Sequence, residues 1–148
     1  DNSRIIFDMV DITLVSRLIE GEYPDYEKVI PVDNGIRLTM DTQRLLSIIK
    51  RVGTMANPKM PGLMMETTGD VLKMKASTLE YGEGYEETQI KKEVNDISIG
   101  LNAQYLMDIL KATDKDEVVF SMSDPLKPIL MKPVGNDGYV CVIMPMRL

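Results

Sequence analysis

Apolar and polar positions alternate along residues 36–40. Ile36, Leu38 and Met40 fall on one side and Arg37 and Thr39 on the other, the period of a half-buried strand. Asp41 follows, a residue type whose short carboxylate accepts the orphan N–H groups of a helix start. The spacing then changes: Leu45, Ile48, Ile49 and Val52 share one helical arc, which predicts a helix to about residue 55. Two strands are expected at 63–67 and 71–76, joined by a tight turn at Thr68-Gly69-Asp70. The same order then returns. A strand at 97–100 leads to a cap at Asn102, a helix ending near Thr113, and strands at 118–122 and 129–132. Further strands at 86–94 and 139–144 would complete the two halves. Little residue identity lies behind this repeat of architecture. It predicts a pseudo-symmetric α+β domain, with two helices on one side of antiparallel β-sheet.

Residues 5–18 also read as extended, with Ile5, Ile6, Phe7, Val10, Ile12, Leu14 and Leu18 in strand-like runs and no helix cap. The turn-rich stretch Glu20-Gly21-Glu22-Tyr23-Pro24-Asp25-Tyr26 follows, and a boundary or linker is expected over about 20–31. The first segment is then either a fragment of something else or an edge strand of the main domain. At the other end an apolar run ends in Val142-Ile143-Met144-Pro145-Met146-Arg147-Leu148. It is far too short to span a bilayer. Such a tail is either a last core strand or the wall of an apolar groove that something else fills.

Composition narrows the chemistry. With 148 residues, 44% apolar and 27% charged, the chain can bury a core of about one domain. It has no histidine, so a Ser-His or Cys-His pair is impossible within it. The single cysteine, Cys141, cannot form an internal disulfide, which favours a reducing, cytoplasmic setting; neither a signal-peptide pattern nor a long apolar segment is present. The acidic cluster Glu80, Glu83, Glu86 and Glu87 lies in a Gly/Tyr-rich stretch and reads as a solvated loop. Residues 114–117 read as a helix-to-strand turn without calcium-loop spacing, and no glycine-rich phosphate cradle occurs. A hydrolase built on Asp108 or Glu117 would need a convergent arrangement that the sequence does not offer. No enzyme, no metal and no cofactor is expected. The twelve methionines are adaptable fillers, most of them expected in the core.

The charge of -6 argues against indiscriminate binding to nucleic acid. Yet the outer face of the first helix carries Arg44, Lys50 and Arg51 with Ser47 and Thr54, and no acid. Two readings stay open, a solvated face or one presented to a phosphate backbone. The second helix would pack Leu106, Ile109 and Leu110 inward and expose Gln104, Asp108 and Lys111, whose charges cancel.

Four motifs in order then carry a resemblance. The stretch from Ser16-Arg17-Leu18-Ile19-Glu20 through Asp25-Tyr26, followed by Val29-Ile30-Pro31, resembles the interdomain segment of the bacterial sliding clamp family, the beta subunit of DNA polymerase III. Met144-Pro145-Met146-Arg147-Leu148 looks like that family's C-terminus. Gly100-Leu101-Asn102-Ala103-Gln104-Tyr105-Leu106 is similar to the cap of the second helix in its last domain, and Asp124-Pro125-Leu126-Lys127-Pro128-Ile129 suits the strand pair before the tail. The first and last matches are specific, the middle two weak alone, and together they cover nearly the whole chain.

The resemblance implies a DNA-clamp fold, with residues 1–22 as the terminal strands of the middle clamp domain and 23–148 as a complete third domain. Family members are head-to-tail homodimeric rings around duplex DNA, serving as processivity factors. By that likeness Arg44, Lys50, Arg51 and Lys111 face non-specific duplex DNA. A groove receives short peptides, carrying glutamine and bulky apolar side chains, from polymerase subunits, the clamp loader, and repair and translesion polymerases. Carried over, its lining is Pro24, Lys28, Val29, Met60, Asn102, Tyr105, Leu126, Pro128, Val142, Ile143, Met144, Pro145, Met146, Arg147 and Leu148. Lys28 stands where arginine is frequent and Met60 where an aromatic is, which alters pocket shape. Thr54 and Met55, with the neighbouring sheet edge, would form the subunit interface. Lacking a first domain, this piece is expected to be monomeric. The alternative is a small α+β peptide-binding adaptor with no DNA role.

Overall fold

The computed structural model describes residues 3–23, 25–31, 35–93, 95–136 and 138–148. The extended segment at the start is a hairpin of β1 (Arg4–Asp8) and β2 (Thr13–Arg17), paired from Arg4 with Arg17 to Asp8 with Thr13. It forms a two-stranded sheet of its own, so it is not an edge strand of the main domain. The turn between Met9 and Ile12, closed by Met9 N–H donating to Ile12 O at 2.9 Å, contains neither glycine nor proline and left no sequence signal. Every residue of both strands is exposed, apolar ones included. A 3-10 turn at Tyr26–Val29 follows, within the expected boundary segment.

In β3 (Ile36–Asp41) the alternation is as predicted, with Ile36, Leu38 and Met40 buried. Asp41 caps α1 (Thr42–Val52), its carboxylate accepting the Arg44 N–H at 2.6 Å. The helix relaxes at Gly53 into a 3-10 turn, Gly53–Met55, so the predicted end near 55 is one turn of tighter helix. Thr42, fully buried, donates its hydroxyl to Lys115 O at 2.7 Å and its N–H to Asp116 O at 2.8 Å, tying this helix start to the turn after the second helix.

Next come β4 (Gly62–Thr68) and β5 (Val71–Thr78), joined through Gly69 at φ +57°. The acidic stretch expected to be a loop is instead a strand, β6 (Gly82–Gln89), in continuous register with β5 from Thr78↔Gly82 to Val71↔Gln89. Its signal was hidden because the inward positions are half-buried Gly84 and Glu86 and buried Thr88, none of them aliphatic. Glutamates on the open side of an edge strand blunt it against further pairing without preventing the strand. The single strand expected at 86–94 breaks at buried Ile90, whose N–H donates to Asp70 O at 2.9 Å, and continues as β7 (Lys91–Glu93) in a different sheet.

The second unit runs β8 (Ser98–Asn102), α2 (Ala103–Lys111), β9 (Glu117–Met122), β10 (Ile129–Pro133) and β11 (Cys141–Ile143). The Asn102 cap is as predicted, its side-chain oxygen accepting from Gln104 N at 2.9 Å and Tyr105 N at 3.1 Å.

The two units exchange their first strands. One sheet has the order β6-β5-β4-β8 and the other β11-β10-β9-β3-β7. Thus β8 of the second unit pairs with β4 of the first, and β3 of the first pairs with β9 of the second. The crossings match as well. After β6 the chain passes to the other sheet and pairs with β3 as β7. After β11 it passes to the opposite sheet, where Met146 bridges to Gly100 of β8, its N–H donating to Gly100 O at 2.8 Å. The helices pack against each other and against the sheets, α1 on β3, β5 and β6 and α2 on β8. Leu38, Ile48, Ile49, Leu63, Leu72, Leu101, Leu106, Leu110 and Phe120 are sealed in the resulting core. Met40, Met65, Met74, Met122 and Met131 fill it as expected, whereas Met9, Met60 and Met144 remain exposed. Truncation of Ile49 to alanine is expected to cost about 2–5 kcal/mol. Lys50→Ala on the exposed side should change stability by less than about 0.5 kcal/mol. Urea midpoints of the two variants check the difference.

Candidate functional site

An apolar cleft of about 360 Å³ opens between α2 and the free edge of β11, lined by Tyr105, Asp108, Ile109, Val142, Ile143 and Met144. Tyr105, Asp108 and Ile109 are spaced i, i+3, i+4 and so share one helix face. On the strand side three consecutive residues take part, because β11 pairs only with β10 and its other edge is open to the cleft. Ile143 faces the core and is only 3% exposed, while Met144 at the rim is 60% exposed. The tail is therefore core strand and groove wall together. Ile109, expected to point inward, is half-buried and forms cleft wall.

Asp108 supplies the one charge in this lining, and its carboxylate is held at the rim. Gln104 Nε2 donates to its Oδ1 at 2.8 Å and Lys111 Nζ stands 3.9 Å from the same oxygen. Asn102, at the head of the same helix, uses its side-chain oxygen for the cap. What it offers a ligand is therefore its amide donor, not both polar atoms.

Of the residues singled out from sequence, Tyr105, Val142, Ile143 and Met144 come together here. Pro145, half-buried, and exposed Arg147 lie beyond the end of the strand, and Met146 and Leu148 run onto β8 and β4 at Gly100 and Gly62. Leu126 is exposed in an Asp124-capped turn, its N–H donating to Asp124 Oδ1 at 2.8 Å, and half-buried Pro128 precedes β10. Lys28 pairs with Asp25 at 3.0 Å in the 3-10 turn, where Val29 is half exposed; Met60 is exposed after a bridge to Asn57. Leu126, Pro128, Lys28, Val29 and Met60 do not line the cleft itself. Pro24 lies outside the described residues. Asp108 and Ile109 were missed as lining. Their spacing from Tyr105 was legible, but nothing local says which strand edge will face them.

The outer face of α1 is not the acid-free surface that its own sequence suggests. Arg51 makes a two-pronged contact with Glu86 of β6, Nε to Oε1 at 2.5 Å and Nη2 to Oε2 at 2.7 Å, and Nη1 donates to Ser47 at 2.7 Å. Arg44 Nε donates to Thr88 Oγ1 of the same strand. Lys50 projects into solvent, and Lys111 lies near Asp108. The bidentate hydrogen bond from Arg51 holds the Glu86 carboxyl below its usual range and raises the guanidinium in turn. Thr54, exposed, donates its hydroxyl to Arg51 O at 2.7 Å. Half-buried Met55 packs on edge strand β6, where a Cβ on Gly84 would come within 3.1 Å of its Cγ. Among the described residues no three Cys, Asp or Glu side chains gather as a metal site, and no helix is long and apolar enough to cross a membrane.

Intertwined units with paired helices over a shared core define a clamp-type α+β domain. The chain belongs to the family formed by the C-terminal domain of the DNA polymerase III beta subunit, which it matches over residues 27–147. It is 33% identical over 138 residues to the beta sliding clamp of Pseudomonas aeruginosa, covering 93% of this chain and 38% of that protein. Against the beta sliding clamp of Staphylococcus aureus it is 31% identical over 148 residues, 99% of this chain and 39% of the relative. A crystal structure of the Pseudomonas aeruginosa clamp with ligand superposes with TM-score 0.92 at 31% identity, covering 100% of this chain and 40% of that one. A Bartonella birtlesii sliding clamp bound to griselimycin gives TM-score 0.93 at 28% identity, covering 100% and 40%. The chain thus spans about two fifths of the length of these relatives.

The sign of the Glu86 effect is fixed by its direction. A carboxyl depressed in the folded state adds stability above its unfolded value, and that stability is lost as pH falls through the folded one. Glu86→Gln is expected to lessen the loss of stability on acidification from about pH 6 to about pH 3, by a small amount because the pair is exposed. Urea midpoints across that range check this.

Proposed function

We propose that this chain is the peptide-capturing third domain of a sliding clamp, with the last strands of the middle domain at residues 1–22. The whole protein is then a non-catalytic, cytoplasmic processivity factor of the replicative polymerase. What carries the reading is the apolar cleft between α2 and the edge of β11. A slot of this size lined by Tyr, Ile, Val and Met suits one or two bulky apolar side chains, and a Met rim can adapt to several partners. The Asn102 amide at the N-terminus of α2, three residues before Tyr105, suits a glutamine carbonyl. Peptides from polymerase subunits, the clamp loader, and repair and translesion polymerases are the proposed ligands. Lys28, Val29, Met60, Leu126, Pro128 and Pro145 to Leu148 would extend the site beyond the cleft.

The ring assignment draws on other features. Among the described residues the β1–β2 hairpin has no sheet partner beyond itself, and it exposes Ile5, Ile6, Phe7, Leu14 and Val15, as expected of strands taken from a neighbouring domain's sheet. Strand β6 is an open edge beside Thr54 and Met55, suited to continue into another protomer's sheet in a head-to-tail homodimer. On α1, Lys50 is the readiest cation for duplex DNA, and Arg44 and Arg51 would act from positions held by Thr88 and Glu86; Lys111 completes the set. Loose, water-mediated phosphate contacts of this kind do not read sequence, so the ring can slide.

Titration with a labelled Gln-Leu-x-Leu-Phe-type peptide tests the cleft. Tyr105→Ala and Ile109→Ser are each expected to weaken binding by about tenfold. Asn102→Asp should keep the cap and the stability yet lower affinity, whereas Asn102→Ala should also cost about 1 kcal/mol of stability. Peptide binding indifferent to the changes at all three positions would overturn the assignment. For the ring, the parent protein loaded on circular DNA should be retained and then released on linearisation. Equal retention on both forms would leave the adaptor reading, without a DNA role.

A further inference from the structure

Two glycines lie under the tail. Gly62 of β4 pairs with Asn102 of β8, and Gly100 of β8 pairs with Met64, so the two are diagonal neighbours on the outer face of their sheet. Neither has a left-handed backbone that would call for glycine. Space is the reason instead. A Cβ on Gly100 would stand 2.5 Å from the Met146 carbonyl oxygen and 2.9 Å from Leu148 Cγ, and one on Gly62 would collide with Leu148 Cδ2. Met146 N–H donates to Gly100 O at 2.8 Å, among the described residues the one backbone bond by which this crossing holds, whereas its counterpart β7 forms a three-residue ladder with β3.

We propose that Gly100 and Gly62 are positioning residues of the peptide cleft. The strand wall is pinned at two points, at Ile143 by its pairing with Ile129 and at Met146 by Gly100. Met144, which lines the cleft, and Pro145 span the interval between them. Removing the second pin leaves Met144 at the start of a loose segment, and the wall must then be ordered by the ligand at the expense of affinity. Gly100 acts directly on tail backbone, which cannot rotate away. Gly62 meets only the tip of a flexible leucine, so its effect is smaller. The inference rests on the cleft being the peptide site, but the seating of the tail can be read without any peptide.

The test uses Gly100→Ala and Gly62→Ala, with Gly35→Ala as control, since a Cβ there meets nothing within 4 Å. Hydrogen exchange at the Met146 amide should show lost protection in Gly100→Ala and none in the control. Affinity for the labelled Gln-Leu-x-Leu-Phe-type peptide should fall by about five- to tenfold in Gly100→Ala and less in Gly62→Ala. Met146→Pro removes the same bond from the tail side; if Gly100→Ala fails to fold, Met146→Pro carries the affinity readout and Gly62→Ala the exchange at the Met146 amide. The affinity loss of Met146→Pro should not add to that of Gly100→Ala, because both act on one contact. Unchanged Met146 protection overturns the seat. Lost protection with unchanged affinity, or additive losses, overturns its role at the cleft. Failure of the unaltered chain to bind peptide overturns the cleft assignment instead, with the exchange result still deciding the seat.

Discussion

The pairing of β3 with β9 and of β8 with β4 constrains everything else in this domain, because each unit lends its first strand to the other's sheet. Neither unit can complete a sheet alone, so the helices that follow those strands are brought together over a shared core. The caps show the consequence locally. Asp41 ends β3 and starts α1, and Asn102 ends β8 and starts α2, so each exchanged strand also fixes where a helix begins. Thr42 binds the backbone of residues 115 and 116 across the same junction.

The cleft is a by-product of that exchange. Strand β8 delivers α2, whereas β11 reaches the site at the far edge of the other sheet, in the order β11-β10-β9-β3-β7. An edge strand beside a helix face leaves a slot with backbone on one wall and side chains on the other. The two unit ends then differ in strength. On one side β7 continues as a short ladder with β3, but on the other the tail crosses, among the described residues, with a single backbone bond. The duplicated architecture thus has one firm closure and one slight one, and the slight one borders the cleft.

Electrostatics follows the same logic of placement. An acidic protein carries Arg44, Lys50 and Arg51 on the outer face of α1, but β6 brings Glu86 against Arg51 and Thr88 against Arg44. Such exposed pairs contribute little to stability. They hold long side chains in place, which differs from leaving them free to sweep for phosphates.

The strands 36–41, 62–68 and 71–78, both helices and both caps were legible in the sequence, because period 2, period 3.6 and a short acceptor before a helix are local properties. Strand β6 was not, since glycine, glutamate and threonine fill its inward positions and only pairing with β5 makes it a strand. The family likeness was legible in short motifs at both ends, and Tyr105, Val142, Ile143 and Met144, named through that likeness, lie together in the cleft. Ile109, Asp108, Glu86 opposite Arg51, and the glycines beneath Met146 and Leu148 were not. Each depends on which element comes to lie beside another. The sequence by itself determined most of the elements, their caps and the apolar tail, through forces acting within a few residues. Only the tertiary structure decided that two units exchange strands, that β11 is an edge, and that the tail is seated by Gly100. Those outcomes are set by hydrogen bonds and packing between residues far apart in the chain.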